Sequence, residues 1–295
     1  MTQRMALPEL IRAYIHDGAT VYLAGFSHLI PFAAGHEIIR QNIGHLTLCR
    51  ATPDLLYDQM IAAGTADRAV FSYAGNPGVG LLPAFRRAVE SGQVSIEEYT
   101  HAEMAARLEA GAAGLPFWPL RAEDNGLTAV RRRPSVTCPF SGEAVAVVPA
   151  LNPDVTLVHV QRADESGNLY VWGLPGELRE AALAAKTLIA TAEKIVPADS
   201  LRQQREHLMV PGFRVAAMAD VRWGAHPSYA AGLYERDTVL YQEWNRIAKD
   251  PAVCSQWIDD WIRGLPDHDA YLAKWGPEYL SRLASKGGGA IGLQS

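Results

Sequence analysis

Residues 19–49 read ATVYLAGFSHLIPFAAGHEIIRQNIGHLTLC, and they place one helical pattern between two short apolar runs. The runs are Ala19–Ala24 and His45–Cys49, and both have the length and composition of buried strands. The segment between them, Pro31–Arg40, opens on proline and has the length of a helix. The stretch therefore predicts a β-α-β unit.

The same alternation continues on both sides of this unit. Before it, LPELIRAYIH at residues 7–16 spaces its apolar residues by three and four, and Gly18 is placed to end the helix. After it, helical patterns cover 54–63, 81–90 and 102–110, and extended patterns cover 69–72 and 94–99. Strands that alternate with helices favour a parallel sheet, because the crossover helices cover both of its sides. We therefore predict an α/β fold with a single open, mostly parallel sheet and helices on both faces.

Beyond the irregular residues 121–134 the pattern changes. Val145–Val148 and Thr156–Val160 are β-prone, and a polar turn at Asp164–Asn168 connects the second of these runs to Leu169–Trp172. Two β-prone runs joined by a glycine-containing turn predict a β-hairpin.

The remaining chain returns to alternation and then to helix. Residues 181–186 are predicted as helix and 187–191 as strand. In the tail, Val253, Trp257 and Trp261 are spaced by four, so we expect them on one helix face. These tryptophans are predicted to belong to the core, with a partner-binding surface as the alternative.

The composition is that of a globular chain with a weak negative charge. The formal net charge is −5 and 48% of the residues are hydrophobic. Such a charge does not favour nucleic acid as a partner, and Arg131–Arg133, the only cationic run, is predicted to be a solvated loop. No apolar stretch is long enough to span a membrane, and the first residues lack the pattern of a signal peptide. A cytoplasmic location is therefore expected.

No linker divides the chain, and no long-period repeat is present. We predict one domain over residues 1–295, with 286–295 as a mobile tail. Cys49, Cys138 and Cys254 are widely spaced and form no Cys-x-x-Cys pair, so neither a disulfide nor a zinc site is predicted.

Candidate functional residues follow the predicted strands, at the edge where open α/β sheets bind ligands. GFSHL at residues 25–29 resembles a serine hydrolase elbow, but Leu29 stands where that turn needs glycine. GNPGVG at residues 75–80 lies before a helix, where N–H groups can bind an anion, although a structural turn is the plainer interpretation. His101 and Glu103 begin another helix. Glu103 is interpreted as compensating the helix dipole, whereas a role for His101 stays open.

One further motif is set aside. HEIIR at residues 36–40 resembles the His-Glu-x-x-His motif, but Arg40 stands where the second zinc ligand is required. No metal site is predicted.

Six segments in one order carry a resemblance to a known family. They are GFSHLIPFAAGHEIIRQ, TPDLLYDQMI, GNPGVG, AGAAGLPF, CPFSGEAVAVVPALNPDVTLVHVQRADESGNLYVWG and GAHPSYAAGLYERD. Together they resemble the alpha (A) subunit of family I coenzyme A transferases, from about Asp17 to Gly264. Within the family they look closest to members that act on 3-oxoadipate, and are more distantly similar to members that act on glutaconate.

The resemblance implies a two-chain enzyme that moves CoA from an acyl-CoA such as succinyl-CoA to a carboxylic acid such as 3-oxoadipate. In such enzymes both chains have open α/β folds, the active site lies between them, and the thioester is attacked by a glutamate of the B (beta) subunit. Coenzyme A is then a substrate, and no permanently bound cofactor or metal is implied. Mapped by motif, the residues expected to line the acyl site are Gly25, Phe26, Ser27, His28, Gly75, Asn76, Gly78, Val79 and His101.

The chain departs from the family pattern at two places, and other functions stay open. Ala24 precedes Gly25 where relatives commonly have a second glycine, and Arg121–Leu127 replaces a Gly-Ser/Thr-Asp-Leu element. Some relatives hydrolyse CoA esters with an A-subunit glutamate at the position where this chain has His101, so ring-opening hydrolysis is the alternative activity. A stand-alone esterase using Ser27 and an inactive binding chain are further alternatives.

Overall fold

The computed structural model describes residues 2–120 and 133–285, and most of the strands in these ranges belong to one parallel sheet. The strands are β1 (Gln3–Arg4), β2 (Thr20–Leu23), β3 (Leu46–Cys49), β4 (Ala66–Phe71), β5 (Ser95–Glu98), β6 (Phe117–Pro119), β7 (Ser135–Thr137), β8 (Ala144–Pro149), β9 (Val155–Val160), β10 (Arg162–Asp164), β11 (Leu169–Tyr170), β12 (Thr187–Ala192), β13 (Ile195–Val196), β14 (Leu208–Val210) and β15 (Val215–Asp220). The main sheet has eight strands in the order β1-β15-β12-β9-β2-β3-β4-β5, and every neighbouring pair is parallel. The predicted open parallel sheet is confirmed.

Helices cover both faces of this sheet, as predicted. In the described ranges they are α1 (Leu7–Tyr14), α2 (Phe32–Arg40), α3 (Leu55–Ala62), α4 (Pro83–Glu90), α5 (His101–Ala112), α6 (Leu178–Ala184), α7 (Thr238–Ile247), α8 (Pro251–Ile258), α9 (His268–Trp275) and α10 (Pro277–Leu283). Side chains of β2 and of Ala24, which follows it, alternate between two apolar clusters, with Val21 and Leu23 in one and Tyr22 and Ala24 in the other. The first cluster includes α1 to α4, α7 and α8, and the second includes α5 and α6.

Two small sheets, which the sequence does not predict, accompany the main one. One has four strands in the order β13-β10-β11-β14, and the other has three in the order β6-β8-β7.

The predicted hairpin exists, but its first arm is a different segment. Arg162–Asp164 pairs antiparallel with Leu169–Tyr170, whereas Val155–Val160 lies in the main sheet between β12 and β2. Every residue of Val155–Val160 is buried, as in a strand with helices on both sides. The expectation that Thr156–Val160 forms the hairpin arm is therefore wrong.

The core interpretation is confirmed for Trp257 and for the neighbouring Trp244, whereas Trp261 and Trp275 are partly buried and pack against the core. Trp244 is fully buried, and Trp257 packs against both Trp244 and Trp261. Val253, which the spacing places on the same face, is instead exposed. A step of four residues overshoots one helical turn by about 40°, so successive residues at this spacing drift around the helix, and Val253 lies on its solvent side.

Some predictions concern residues outside the described ranges. These are the element Arg121–Leu127, the cations Arg131 and Arg132, and the tail 286–295. No helix among the described residues is long and apolar enough to cross a membrane. The same residues contain no group of three or more His, Cys, Asp or Glu side chains placed to bind a metal ion. The assignment of the chain to one domain stays a prediction.

Candidate functional site

The residues singled out from the sequence all lie at the carboxyl ends of neighbouring strands. The Gly25 loop (Gly25–Leu29) follows β2, and the Gly75 turn (Gly75–Gly80) lies in the connection after β4. Between them, a loop that the sequence does not single out (Arg50–Asp54) follows β3. His101 begins α5 directly after β5. Because β2 to β5 are consecutive in a parallel sheet, these segments share one edge of it.

The Gly25 loop has an unusual backbone conformation. Gly25 has φ +113°, and Ser27 and Leu29 have φ +56° and +53° although neither is a glycine. A Cβ atom at Gly25 would lie 2.7 Å from the carbonyl oxygen of His28. Left-handed conformations at two non-glycine residues cost about 1 kcal/mol or more each, so the surroundings of the loop must stabilise it.

A distant segment, the clamp segment (Trp223–Tyr234), supplies that stabilisation. The Leu29 N–H donates to the Tyr229 carbonyl at 3.0 Å, and the Ser228 hydroxyl donates to the Ser27 carbonyl at 2.9 Å. The backbone of the loop is thus fixed by hydrogen bonds to residues far away in the chain.

The His28 ring also stabilises the loop, through hydrogen bonds to two other segments of the chain. The ring is fully buried, and its Nε2 accepts the Ala231 N–H at 3.0 Å, so its Nδ1 carries the proton and donates to the Leu174 carbonyl at 2.9 Å. Burial lowers the pKa of His28 to about 4, so the ring is neutral at pH 7. Both ring nitrogens are therefore occupied inside the protein, and Phe26 and Ser27 are the partly exposed side chains of the loop.

This arrangement bears on the esterase alternative. Among the described residues, no histidine forms a hydrogen bond with the Ser27 hydroxyl, and the adjacent His28 is committed to Leu174 and Ala231. A serine nucleophile needs such a base within hydrogen-bond reach. The geometry therefore does not favour Ser27 as a nucleophile.

Glu193 holds the clamp segment, and sequence reasoning does not single it out. This buried carboxylate accepts the N–H groups of Trp223 at 2.7 Å and Gly224 at 3.1 Å. It also accepts the Tyr234 hydroxyl, and its Oε1 lies 2.8 Å from His159 Nε2. Its position directly after β12, at the carboxyl edge, is the signal that could have identified it.

The Gly75 turn is fixed at its base and exposed at its tip. Asn76 and Gly80 exchange two backbone hydrogen bonds, at 2.7 and 3.1 Å, and the buried Asn76 Oδ1 accepts the N–H of Leu55 at 2.8 Å. Gly78, at the tip, has φ +73°, and a Cβ atom added to it would have no neighbouring atom within 4 Å. The turn therefore contacts the N-terminus of α3 and presents its tip to solvent.

A buried ion pair lies beside the same helix N-terminus. The Arg50 guanidinium donates to both carboxylate oxygens of Asp54 at 3.2 Å, and Asp54 also accepts the N–H of Leu56 as the N-cap of α3. Both side chains are almost completely buried. Nothing in the sequence indicates this pair beyond the spacing of four residues.

The loop after β3 connects the Gly75 turn to His101. The Pro53 carbonyl accepts the Gly75 N–H at 3.0 Å, and Thr52 Oγ1 lies 2.9 Å from His101 Nε2. No hydrogen bond between described residues joins the Gly25 loop directly to the Gly75 turn or to His101. The predicted residues thus share an edge but form two clusters.

Glu103 has the structural role that the sequence indicates, with an additional partner. Its carboxylate accepts the Thr100 N–H at 2.8 Å in a capping box. It also accepts a hydrogen bond from Arg133 Nη2 at 2.7 Å, and Arg133 Nε lies 2.6 Å from its other oxygen. The expectation of a solvated loop is therefore wrong for the Arg133 side chain, because it is only 12% exposed and pairs with a carboxylate in the first turn of α5.

The exposed turn Gly75–Gly80 can be tested by substitution. On the expectation from the sequence that Gly78 lines the acyl site of a two-chain enzyme, Gly78→Val should lower turnover with the partner chain at least tenfold, because a β-branched side chain blocks approach to the exposed backbone. Its strain at positive φ should cost about 1 kcal/mol of stability. The measurements are kinetics and thermal unfolding.

Gly92→Val is the matched control for this prediction. Gly92 also has positive φ, +75°, and open space around its Cβ position, but it follows α4 away from the carboxyl edge. The control should lose the same stability and keep its turnover. Equal kinetics for the two variants would remove the turn from the site.

Comparison with known proteins places this geometry in a family context. The model of the coenzyme A transferase family matches residues 4–220. The chain is 46% identical to the A subunit of the 3-oxoadipate CoA-transferase of Pseudomonas knackmussii over 280 residues, which are 93% of this chain and 98% of that protein.

Two further similarities are informative. The crystal structure of glutaconate coenzyme A-transferase from Acidaminococcus fermentans matches with a TM-score of 0.91 and 30% identity, over 96% of each chain. The cholesterol ring-cleaving hydrolase IpdA subunit of Rhodococcus jostii is 26% identical over 94% of this chain and 97% of that protein.

Proposed function

The chain belongs to the coenzyme A transferase family, and from this membership we propose that it is the A subunit of a two-chain 3-oxoadipate CoA-transferase. The observation that carries the proposal is 46% identity to the A subunit of such an enzyme over nearly the full length of both chains. The proposed reaction moves CoA from an acyl-CoA such as succinyl-CoA to 3-oxoadipate, and the proposed partner is a B subunit.

We propose that this chain forms one wall of the acyl site. The wall residues are those mapped by motif: Gly25, Phe26, Ser27, His28, Gly75, Asn76, Gly78, Val79 and His101. Their position at the carboxyl edge of the parallel sheet supports this role. Within the set, His28 acts through the backbone of its loop, because its ring is buried and fully hydrogen-bonded.

The nucleophile is proposed to come from the partner. Asp54 and Glu103, the carboxylates beside the Gly75 turn and His101, are each held by an arginine inside this chain. A carboxylate nucleophile must instead be free to attack the thioester, with donors placed opposite it for the developing oxyanion. The exposed Gly78 N–H, the Ser27 hydroxyl and the Thr52–His101 pair are the donors that this edge offers.

Coenzyme A is the only cofactor that the proposal requires, and it enters as a substrate. The proposed location is the cytoplasm, where thiols stay reduced. Cys49, Cys138 and Cys254 are free in the structure, which is compatible with that location.

Trapping the covalent intermediate tests the proposal. The chain should be co-expressed with the product of the adjacent reading frame, incubated with succinyl-CoA, and treated with borohydride or hydroxylamine, which react with an activated glutamyl thioester. Peptide mass mapping should find one modified glutamate in the partner and none in this chain. The isolated chain should show little transferase activity, because the attacking glutamate is supplied by the partner.

Omission of acyl-CoA is the control, because the thioester forms only by displacement from the donor. Modification of Glu103 would show that the nucleophile belongs to this chain and would overturn the proposal. Strong transfer by the isolated chain would do the same.

Hydrolysis is the second candidate, favoured by the similarity to the ring-cleaving hydrolase subunit. The resemblance implies that such hydrolases use an A-subunit glutamate at the position where this chain has His101. The nearby Glu103 is paired with Arg133. Steady release of CoA without an acceptor acid, together with no trapped intermediate, would favour hydrolysis over transfer.

A further inference from the structure

A cavity lies at the half of the carboxyl edge that β9, β12 and β15 form. It has a volume of about 490 Å³ and is lined by residues that follow β9, β12 and β15. These strands occupy the opposite half of the sheet from β3, β4 and β5, so the cavity is separate from the Gly75 turn and His101. Its size is within the range of cavities that bind small organic molecules, about 300–1,000 Å³.

Three cationic side chains line this cavity: Arg162, Lys194 and Arg222. Arg162 is buried and donates to the Gln161 carbonyl at 2.9 Å. Lys194 and Arg222 are exposed, and neither side chain forms an ion pair or hydrogen bond with a described residue. Two cations are thus available to a ligand at the cavity wall.

The two acidic side chains of the cavity are already engaged. Glu193 accepts hydrogen bonds from the clamp segment and lies against His159. Asp220 accepts the Ile195 N–H at 3.3 Å and is paired with Arg4 at 3.5 Å. The carboxylates therefore satisfy internal donors and, among the described residues, leave Lys194 and Arg222 without a partner.

The remaining wall is apolar and aromatic. Trp223 stacks on Tyr234 with their ring centroids 4.1 Å apart, and Leu233 lies beside them in the cavity lining. A ligand with an anionic end and an apolar or flat body would satisfy both parts of the wall, because oxyanions bind guanidinium and ammonium groups through charge-assisted hydrogen bonds.

We propose that this cavity binds a small organic anion, with its phosphate or carboxylate group on Lys194 and Arg222 and its body against Leu233 and Trp223. The proposal does not depend on the transferase function. It assigns to this chain a ligand site that lies apart from the Gly75 turn and His101.

Titration calorimetry of the full chain at low ionic strength tests the proposal. The probes are ADP for the phosphate arm, tricarballylate for the carboxylate arm, and adenosine as the uncharged control. At least one anion should bind while adenosine binds at least tenfold more weakly than ADP or not at all. Whichever anion binds more tightly identifies the class of the ligand.

Two variants locate the binding in the cavity. The double variant Lys194→Gln/Arg222→Gln should weaken anion binding at least tenfold, because both charge-assisted contacts are lost. Ala284→Phe, at an exposed lining position, should also weaken it by filling the cavity without changing its charge. Circular dichroism confirms that each variant is folded.

The matched control is Arg246→Gln/Lys249→Gln, which also removes one arginine and one lysine charge, but from the exposed end of α7 and the residues after it. This control should retain wild-type affinity. The proposal is overturned if neither anion binds the wild-type chain, or if the cavity variants bind as tightly as the control.

Discussion

Asp54→Asn should lower the free energy of unfolding by about 3 kcal/mol, because it leaves the Arg50 guanidinium buried without a counter-charge. Asparagine is as good an N-cap as aspartate, so the loss reports the broken ion pair and not the helix cap. Arg50 is 1% exposed, so water cannot replace the lost carboxylate. Urea or guanidinium unfolding of the variant and the wild type gives the measurement.

Glu90→Gln is the control with the same spacing. Arg86 and Glu90 also form an ion pair four residues apart, but both side chains are exposed, at 66% and 63%. Exposed pairs of this kind contribute about 0.5 kcal/mol or less. Comparable losses for Asp54→Asn and Glu90→Gln would show that burial does not set the strength of the Arg50–Asp54 pair.

Acidification from pH 7 to pH 5 should lower the free energy of unfolding by several kcal/mol. Burial lowers the pKa of His28 to about 4, that of His36 to about 3 and that of His268 to about 4. The unfolded chain, with histidine pKa values of about 6.5, binds more protons than the folded chain below that pH. Stability is therefore lost as the pH falls from about 6.5 towards 4.

The size of the effect follows from these pKa values. Each of the three histidines contributes a loss of about 2 kcal/mol between pH 7 and pH 5. Asp58 acts in the opposite direction, because burial raises its pKa to about 6 and its protonation in the folded state returns about 1 kcal/mol. The net expectation is a loss of about 5 kcal/mol, measured by denaturant unfolding at each pH.

Single substitutions assign the effect. His28→Gln should reduce the pH-dependent loss by about 2 kcal/mol, even though the variant is less stable at pH 7. His45→Gln should not reduce it, because His45 is exposed and Asp67 raises its pKa. A pH dependence that is the same in wild type and His28→Gln would show that this ring is accessible to protons in the folded chain.

Local sequence pattern predicts the individual strands and helices of the β-α-β unit and the helix that follows it. The strands β2 and β3 and the helices α2 and α3 agree with the sequence prediction to within two residues, because apolar periodicity and capping residues act over short distances. The first arm of the hairpin is predicted wrongly because it depends on contacts that local pattern does not contain. Val155–Val160 and Arg162–Asp164 are adjacent in the chain, and only tertiary pairing assigns them to different sheets.

The sequence predicts which positions belong to the candidate site, but not the hydrogen bonds that connect them to the rest of the fold. The Gly25 loop and the Gly75 turn are identified because glycines follow predicted strands. The sequence does not reveal that His28 stabilises its loop, because its partners Leu174 and Ala231 are 146 and 203 residues away. The burial of Arg133 likewise depends on Glu103, thirty residues earlier, and no local pattern encodes it.

The sheet order also determines when the Gly25 loop can form during translation. Strands β2 to β5 are synthesised before β9, β12 and β15 and are neighbours in the sheet, so a half-sheet can assemble before the other half has been made. Its β2 edge then carries unpaired backbone groups until β9 is made. Apart from the bond of His28 to the Leu174 carbonyl, the loop receives the hydrogen bonds described above only when Ser228, Tyr229 and Ala231 emerge. A nascent chain stopped before residue 223 therefore contains all eight strands of the main sheet but lacks the residues that fix the Gly25 loop. We expect a partner that recognises this loop to bind only chains whose synthesis has passed the clamp segment.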